Sequence, residues 1–244
     1  MPRFFVTNDK VSESTVIIEG DDSRHIARAL RMAVGDEIFA CDMKGNEYRC
    51  RLSKIRDEIT ECEIIEVKAG KTESPVDITL FMAYPKGDKL ETVIQKAVEL
   101  GACRIVPFES SRCVKKPKAD KAERQNARYA RIAEEAAKQC GRGKLPSVEQ
   151  PTSYEAAIKM AAEADIPLFC YEGEQTVSIK DALSERKDVK TVSVVVGCEG
   201  GFSIEEAEQA KAAGLVSVGL GPRILRCETA PTVALSIISL FFEL

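Results

Sequence analysis

The hydrophobic pattern of the chain changes period near residue 75. Before that point apolar and charged positions alternate. Tyr48, Cys50 and Leu52 interleave with Glu47, Arg49, Arg51 and Ser53, the period of two expected of a half-buried strand. Residues 3–6, 15–18, 37–41, 47–55 and 60–67 all read as short strands with turn residues between them. One stretch interrupts, residues 23–32, where Ile26, Ala29 and Leu30 fall at helical spacing. Five short strands within residues 1–70 predict a small barrel-like β domain, and residues 69–75 read as a linker.

After residue 75 strand and helix alternate. Residues 77–83, 103–107, 167–171, 191–196 and 216–220 are strand-length apolar runs. Residues 89–100 put Leu90, Val93, Ile94, Ala97 and Val98 on one helical face, with Gly101 placed to end the helix. A long helix is expected over about residues 119–140. Another spans 203–213, opened by the capping box Ser203-x-x-Glu206. The last begins near Thr229 with Pro231 in its first turn. Val233, Leu235, Ile237, Ile238, Leu240, Phe241 and Phe242 cover nearly all of its faces, which predicts burial in the domain or in a subunit interface. The alternation specifies an α/β domain with a mostly parallel sheet over residues 76–244.

Composition adds few constraints. A chain of 244 residues, 44% hydrophobic and 30% charged, fits an ordinary soluble protein of one or two domains. The first ten residues lack the apolar run of a signal peptide. The most apolar segment, residues 233–244, falls short of the about 20 residues that span a bilayer. The expectation is a cytoplasmic protein without a membrane segment. Nine cysteines are spread singly, no C-x-x-C occurs, and His25 is the only histidine. That pattern argues against a metal site and for reduced thiols.

Charge is more informative in its distribution than in its sum. The net is −4, yet residues 112–144 hold eleven basic and four acidic side chains, a local +7. Such a focal block on an acidic chain reads as a footprint for phosphate. Within it Arg124, Arg128 and Arg131 fall at i, i+4 and i+7 on one helix face, and Gly141-Arg142-Gly143-Lys144 carries the charge onward. In the first domain His25, Arg28 and Arg31, at i, i+3 and i+6, also share a helical face. The plainer reading of these residues is a solvated surface.

The candidate chemistry lies in two loops. Gly197-Cys198-Glu199-Gly200-Gly201 follows the strand at 191–196, and Gly219-Leu220-Gly221 closes that at 216–220. Glycine loops at the carboxyl ends of neighbouring strands describe a ligand crevice. The first loop is not G-x-G-x-x-G, and Glu199 would repel a pyrophosphate that needs its N–H groups. A ligand with an amino group, ribose hydroxyls and a positive centre suits it better. Arg223, Arg226 and Glu228 surround the second loop. The bland alternative is tight-turn glycines, solvated arginines and a glutamate set against a helix dipole.

Several motifs add to this: Pro2-Arg3-Phe4, His25 with Leu30-Arg31, Pro85-Lys86-Gly87-Asp88, Glu99-Leu100-Gly101 with Pro107, and Cys140-Gly141-Arg142. With the two loops at residues 196–203 and 220–230, the chain resembles, over nearly its whole length, the RsmE family. These are 16S ribosomal RNA uridine-N3 methyltransferases of the SPOUT class. Two positions depart from the usual pattern, Cys198 where proline is common and Cys227 where threonine is common. The resemblance implies a PUA-like β-barrel RNA-binding domain over residues 1–70. It further implies a SPOUT-type, trefoil-knotted α/β domain over 76–244, a homodimer, no metal, and S-adenosylmethionine in the crevice. The implied partner is 16S rRNA or the small ribosomal subunit. By position, Gly197, Glu199, Gly200 and Gly201 line one side of the cofactor, and Leu220, Gly221, Ile224, Leu225 and Arg226 the other. Arg226 is the first candidate for catalysis, with Glu228 or Glu199 orienting it or accepting a proton. Arg3, His25, Arg28, Arg31, Arg124, Arg128 and Arg142 are the candidate RNA contacts. Two other readings stay open: a SPOUT enzyme acting elsewhere, such as a tRNA ribose 2′-hydroxyl, and a catalytically inert RNA-binding relative.

Overall fold

The computed structural model describes residues 1–114, 122–173 and 176–244. Contacts divide the chain into two units, Met1–Glu73 with Ala137–Leu145, and Ser74–Ala136 with Pro146–Leu244.

In the first unit β1 (Arg3–Phe5), β2 (Thr15–Glu19), β3 (Glu37–Cys41), β4 (Asn46–Ile55) and β5 (Ile59–Ala69) form one sheet in the order β1-β3-β4-β5-β2. β1 runs parallel to β3 and the other pairs are antiparallel. The alternation seen in β4 turns Cys50 and Leu52 inward, against Phe4, Val16, Ile18 and Ile38.

The helical piece departs from expectation. α1 (Gly20–Arg24) continues into a wide π turn, His25–Ala29, in which the Leu30 N–H donates to the His25 carbonyl at 2.9 Å. An i→i+5 turn breaks the 3.6-residue spacing. Arg31 then follows in left-handed backbone at φ 51°. His25, Arg28 and Arg31 therefore do not share a straight helical face.

The expected linker is also tied down. β5 runs through Ala69, and the Thr72 hydroxyl donates to the Gly141 carbonyl at 3.0 Å. The Glu73 carboxylate pairs with Arg142 at 2.6 Å and accepts the N–H groups of Gly143 and Lys144 at 2.9 and 3.1 Å. Arg142 is only 3% exposed. Burial pushes the Glu73 carboxyl up, but the Arg142 guanidinium and the two backbone donors outweigh it and hold it below the usual carboxylate range. A depressed folded-state value gives stability that is present above the unfolded carboxylate value and lost as pH falls through the folded one. The thermal midpoint of the wild type is expected to fall relative to that of Glu73→Gln as pH drops below about 4. Parallel midpoint curves for the two proteins would refute this.

The second unit holds β6 (Asp77–Ala83), β7 (Ala102–Glu109), β8 (Ser147–Val148), β9 (Thr152–Ser153), β10 (Ile166–Cys170), β11 (Val177–Ser178), β12 (Thr191–Val196) and β13 (Val216–Gly219). The order is β11-β13-β10-β12-β6-β7-β8 with β9 also on β7, and every pair is parallel. Parallel strands covered on both faces read as continuous apolar runs, as β6, β10 and β12 do. β10 lies between β12 and β13, so the two glycine loops do not follow neighbouring strands. A third loop stands between them.

The helices are α2 (Lys89–Glu99), α3 (Ala122–Cys140), α4 (Tyr154–Ala161), α5 (Ile179–Ser184), α6 (Ile204–Ala212) and α7 (Thr229–Glu243). α2 buries the five residues its periodicity selects. Both halves of the Ser203/Glu206 capping box are formed at α6. Residues 119–121, expected to open α3, lie outside the described residues. α7 buries Pro231, Ala234, Leu235 and Ile238, but Leu240 and Phe241 are 61% and 42% exposed. Its last turns are thus not covered by their own unit. Among the described residues no helix is long and apolar enough to cross a membrane, and no cluster of side chains could hold a metal ion.

Candidate active site

A cleft of about 1070 Å³ opens at the carboxyl ends of β10, β12 and β13, where open parallel sheets place their ligands. Gly197, Glu199, Gly200, Gly201, Leu220, Gly221, Ile224, Leu225 and Arg226 all line it. The loop after β10 supplies Tyr171, Glu172, Gly173 and Thr176, while Lys89 and Arg112 enter from the side. None of these six was singled out from the sequence. The loop has a single glycine between Glu172 and Glu174 and no basic residue, so its role becomes visible only once β10 is placed between β12 and β13.

Local sterics shape the first wall. The Gly201 N–H donates to the Cys198 carbonyl at 2.9 Å, folding the loop on itself. A Cβ at position 197 would sit 3.1 Å from the Gly201 Cα and 3.2 Å from the Phe202 ring, so a side chain there would push the loop backbone or the ring aside by a few tenths of an ångström. Phe202 anchors the loop, its ring 4.4 Å from that of Phe169. The Arg112 guanidinium donates to the Gly200 carbonyl at 2.9 Å. In the second wall Gly221 takes φ 113°, which a side chain would strain.

Electrostatics join the two walls through one ammonium. Lys89 Nζ lies 3.0 Å from Glu199 and 3.2 Å from Glu228, and the Lys86 N–H donates to Glu199 at 3.1 Å. Burial pushes the Glu199 carboxyl up, but its hydrogen bonds, with Lys89 among them, hold it below the usual range. The Cys227 thiol, 3.2 Å away, holds Glu228 down first, with Lys89 adding to it. Glu199 first and then Glu228 raise the Lys89 ammonium. Glu228 is the N-cap of α7 yet makes no side-chain capping bond; its acid is spent on Lys89 and Cys227. Two carboxylates held ionised are weak bases, which favours an orienting role for both. Arg226 is exposed at the cleft, and among the described residues no ion pair engages its guanidinium.

The candidate RNA contacts are scattered, and four of the seven are paired. Arg3 binds Glu47 at 2.5 Å and Cys41 Sγ at 2.9 Å and is largely buried. Arg28 pairs with Asp57, and Arg128 with Glu91 at 2.8 Å. Arg142 is buried on Glu73. His25, Arg31 and Arg124 are exposed. Arg131, from the same helix, pairs with Glu135 at 3.2 Å. Lys115, Lys116, Lys118 and Lys121 of the basic block lie outside the described residues.

Comparison with known proteins gives this architecture a class. Residues 72–239 match the RNA methyltransferase domain, and residues 18–67 match the RNA methyltransferase PUA domain. Fold and site together define an RNA methyltransferase with a PUA-like N-terminal domain. The chain is 35% identical to ribosomal RNA small subunit methyltransferase E of Bacillus subtilis, over 100% of this chain and 98% of that protein. It is 32% identical to the Aquifex aeolicus protein of the same name, over 97% and 99%. The structure of ribosomal RNA small subunit methyltransferase E from Neisseria gonorrhoeae bound to S-adenosyl methionine matches with a TM-score of 0.86 at 31% identity, over 99% and 98%. The chain belongs to the ribosomal RNA small subunit methyltransferase E family.

Proposed function

We propose that this protein transfers the methyl group of S-adenosylmethionine to N3 of a uridine in the 16S rRNA of the small ribosomal subunit. The observation that carries the reading is the cleft itself: every position that the family resemblance assigns to the cofactor lines one cavity, with Arg226 at its edge and in no ion pair among the described residues. The residues fit such a ligand. Ile224 and Ile204 are 84% and 65% exposed in the cleft walls, apolar surface that an adenine ring would cover. Glycine turns offer backbone groups to ribose and amino acid, and the acids Glu172 and Glu199 suit positive charge.

When bound, the cofactor supplies an electrophilic methyl group. The chain's residues position the base and manage its charge. N3 carries the base-pairing proton of uridine, so the base must be unpaired or extruded to react. Once that proton leaves, negative charge spreads onto the two flanking carbonyl oxygens. Arg226 is placed to stabilise it, as an oxyanion hole does. Lys89, Glu199 and Glu228 lock the two loops in register, so that much of the acceleration comes from orientation. RNA contact falls to the exposed side chains of His25, Arg31 and Arg124, with Arg28 and Arg128 able to exchange weak surface ion pairs for phosphate. The same reading takes in two domains at residues 1–70 and 76–244, a trefoil knot in the second, and a cytoplasmic location. It also takes in a homodimer, for which the exposed Leu240 and Phe241 of α7 are supporting surface.

Transfer of labelled methyl to small-subunit particles and to naked rRNA, followed by digestion and mapping of the methylated atom, tests the reading. Label at uridine N3 is expected, with RNA affinity falling linearly in a log–log plot against salt. Label on a ribose 2′-oxygen would move the activity to another SPOUT reaction. No transfer, together with no calorimetric binding of S-adenosylmethionine, would leave an inert RNA-binding protein.

A further inference from the structure

None of the nine cysteines is in a disulfide, and six of them are buried. Cys113 and Cys198 stand apart because they meet. Cys198 belongs to the glycine loop after β12 and lines the cleft, while Cys113 sits in the turn after β7. Ser110 Oγ lies 3.3 Å from the Cys113 sulfur and 3.9 Å from the Cys198 sulfur, and the Ser110 N–H donates to Cys113 at 3.4 Å. The Ser110 hydroxyl thus stands between the two sulfurs. A hydrogen-bond contact with Cys113 draws the Cys198 thiol down against the effect of burial, with the Gly200 N–H and Ser110 helping. The same contact and burial push the Cys113 thiol up. Cys198, the member that lines the cleft, is the one an oxidant reaches first. A thiolate-prone cysteine next to a resolving thiol, on the wall of an open cleft, is the arrangement of an oxidation-sensitive site.

We propose that Cys198 and Cys113 form a peroxide-sensitive dithiol site in the wall of the cleft, closing to a disulfide when the cleft is empty. The Cys198 sulfur attacks one oxygen of hydrogen peroxide. An S–O bond forms, the O–O bond breaks, and the departing hydroxide takes a proton to become water. The Cys113 sulfur then attacks the Cys198 sulfenic acid. The S–S bond forms, the S–O bond breaks, and the leaving oxygen carries the Cys113 proton away as a second water. Two electrons pass from the sulfurs to the peroxide. The product ties the glycine loop covalently to the turn whose Arg112 already holds it by one hydrogen bond. Cys198 is 6% exposed, so the cleft is its route to the oxidant, and a cleft occupant shields it. Only this shielding rests on the cofactor reading.

The test treats the full-length protein with stoichiometric hydrogen peroxide, alkylates the remaining thiols, and maps the digest by mass spectrometry. A cross-linked Cys113–Cys198 peptide pair is expected before modification of Cys103, Cys140 or Cys170, the three partly exposed thiols. In Cys113→Ser the reaction should stop at the Cys198 sulfenic acid, trapped by a 1,3-dione; the wild-type map decides even if that variant does not fold. S-adenosylmethionine at about 100 times its Kd should slow the cross-link about 100-fold. An unmodified Cys198 beside oxidised Cys103, Cys140 and Cys170 would overturn the proposal, as would a Cys198 sulfenic acid that never closes on Cys113. A cross-link that forms in a protein shown by calorimetry not to bind the cofactor would fault the cofactor reading and support the thiol site.

Discussion

Arg226→Ala is expected to lower methyl transfer about 100- to 1000-fold, the usual effect of removing one donor aimed at developing oxyanion charge. Affinity for S-adenosylmethionine should stay close to that of the wild type, because Glu199, the glycine turns and the apolar side chains that line the cleft all remain. Lys89 is committed to Glu199 and Glu228, and Arg112 to the Gly200 carbonyl. Arg226 lines the same cleft, and among the described residues no ion pair holds it. Its main chain is fixed where α7 starts, the carbonyl accepting from Thr229 and Ala230 at 2.8 and 2.9 Å. The guanidinium is thus free to meet a base while its anchor stays put. Arg226→Lys keeps the charge and loses the planar fork, so its rate should fall between the two. Single-turnover transfer of labelled methyl to small-subunit particles, beside a calorimetric titration of the cofactor, measures both quantities. Wild-type turnover in Arg226→Ala would remove this residue from the mechanism.

Arg142→Ala should act on stability instead. The sequence places Arg142 in a basic run and suggests phosphate, whereas the fold buries it on Glu73. Removing one partner of a buried pair leaves the other charge uncompensated, at about 3–5 kcal/mol. For a chain of this size each kcal/mol lowers the melting temperature by about 2–4 °C. RNA affinity measured on the folded protein well below its midpoint should change little. A melting curve that does not move, with weakened RNA binding, would return Arg142 to the RNA-facing side. The contrast with Arg128 is instructive. Its pair with Glu91 is 66% exposed on the arginine side, and such a pair contributes little to stability.

Cys198 and Cys227, the two positions that leave the usual family pattern, now have surroundings. Cys198 meets Cys113 and Ser110. Cys227 sits between Lys89 and Glu228, where burial first and then its bond to Glu228 push its thiol up to about 12.

Much of the fold was legible because its causes are local. Alternation in residues 47–55, the apolar stripe of α2 and the capping box of α6 are each written within a few residues, and each formed as read. α4 and α5 were missed although both carry a readable start, Ser153 and Ser178 accepting from the N–H of Ala156 and Asp181. They are short, and α5 has only two turns in which to show a period. β8, β9 and β11 have two residues each, too few for any periodicity. The helix at His25 misled because a wide turn leaves the residue types unchanged while rotating their directions.

The sequence by itself determined the longer strands and helices, the change of period near residue 75 and the two glycine loops, since glycine turns and apolar periods follow from backbone sterics and burial over a few residues. Only the tertiary structure decided which strand lies between the two glycine loops, and so which third loop completes the cleft. It alone paired Arg142 with Glu73 and Arg128 with Glu91, residues 69 and 37 apart in the chain, and it alone brought Cys113 to Cys198 across sheet and loop. Those partnerships depend on where the chain returns in space, and no local preference for helix, strand or turn encodes that.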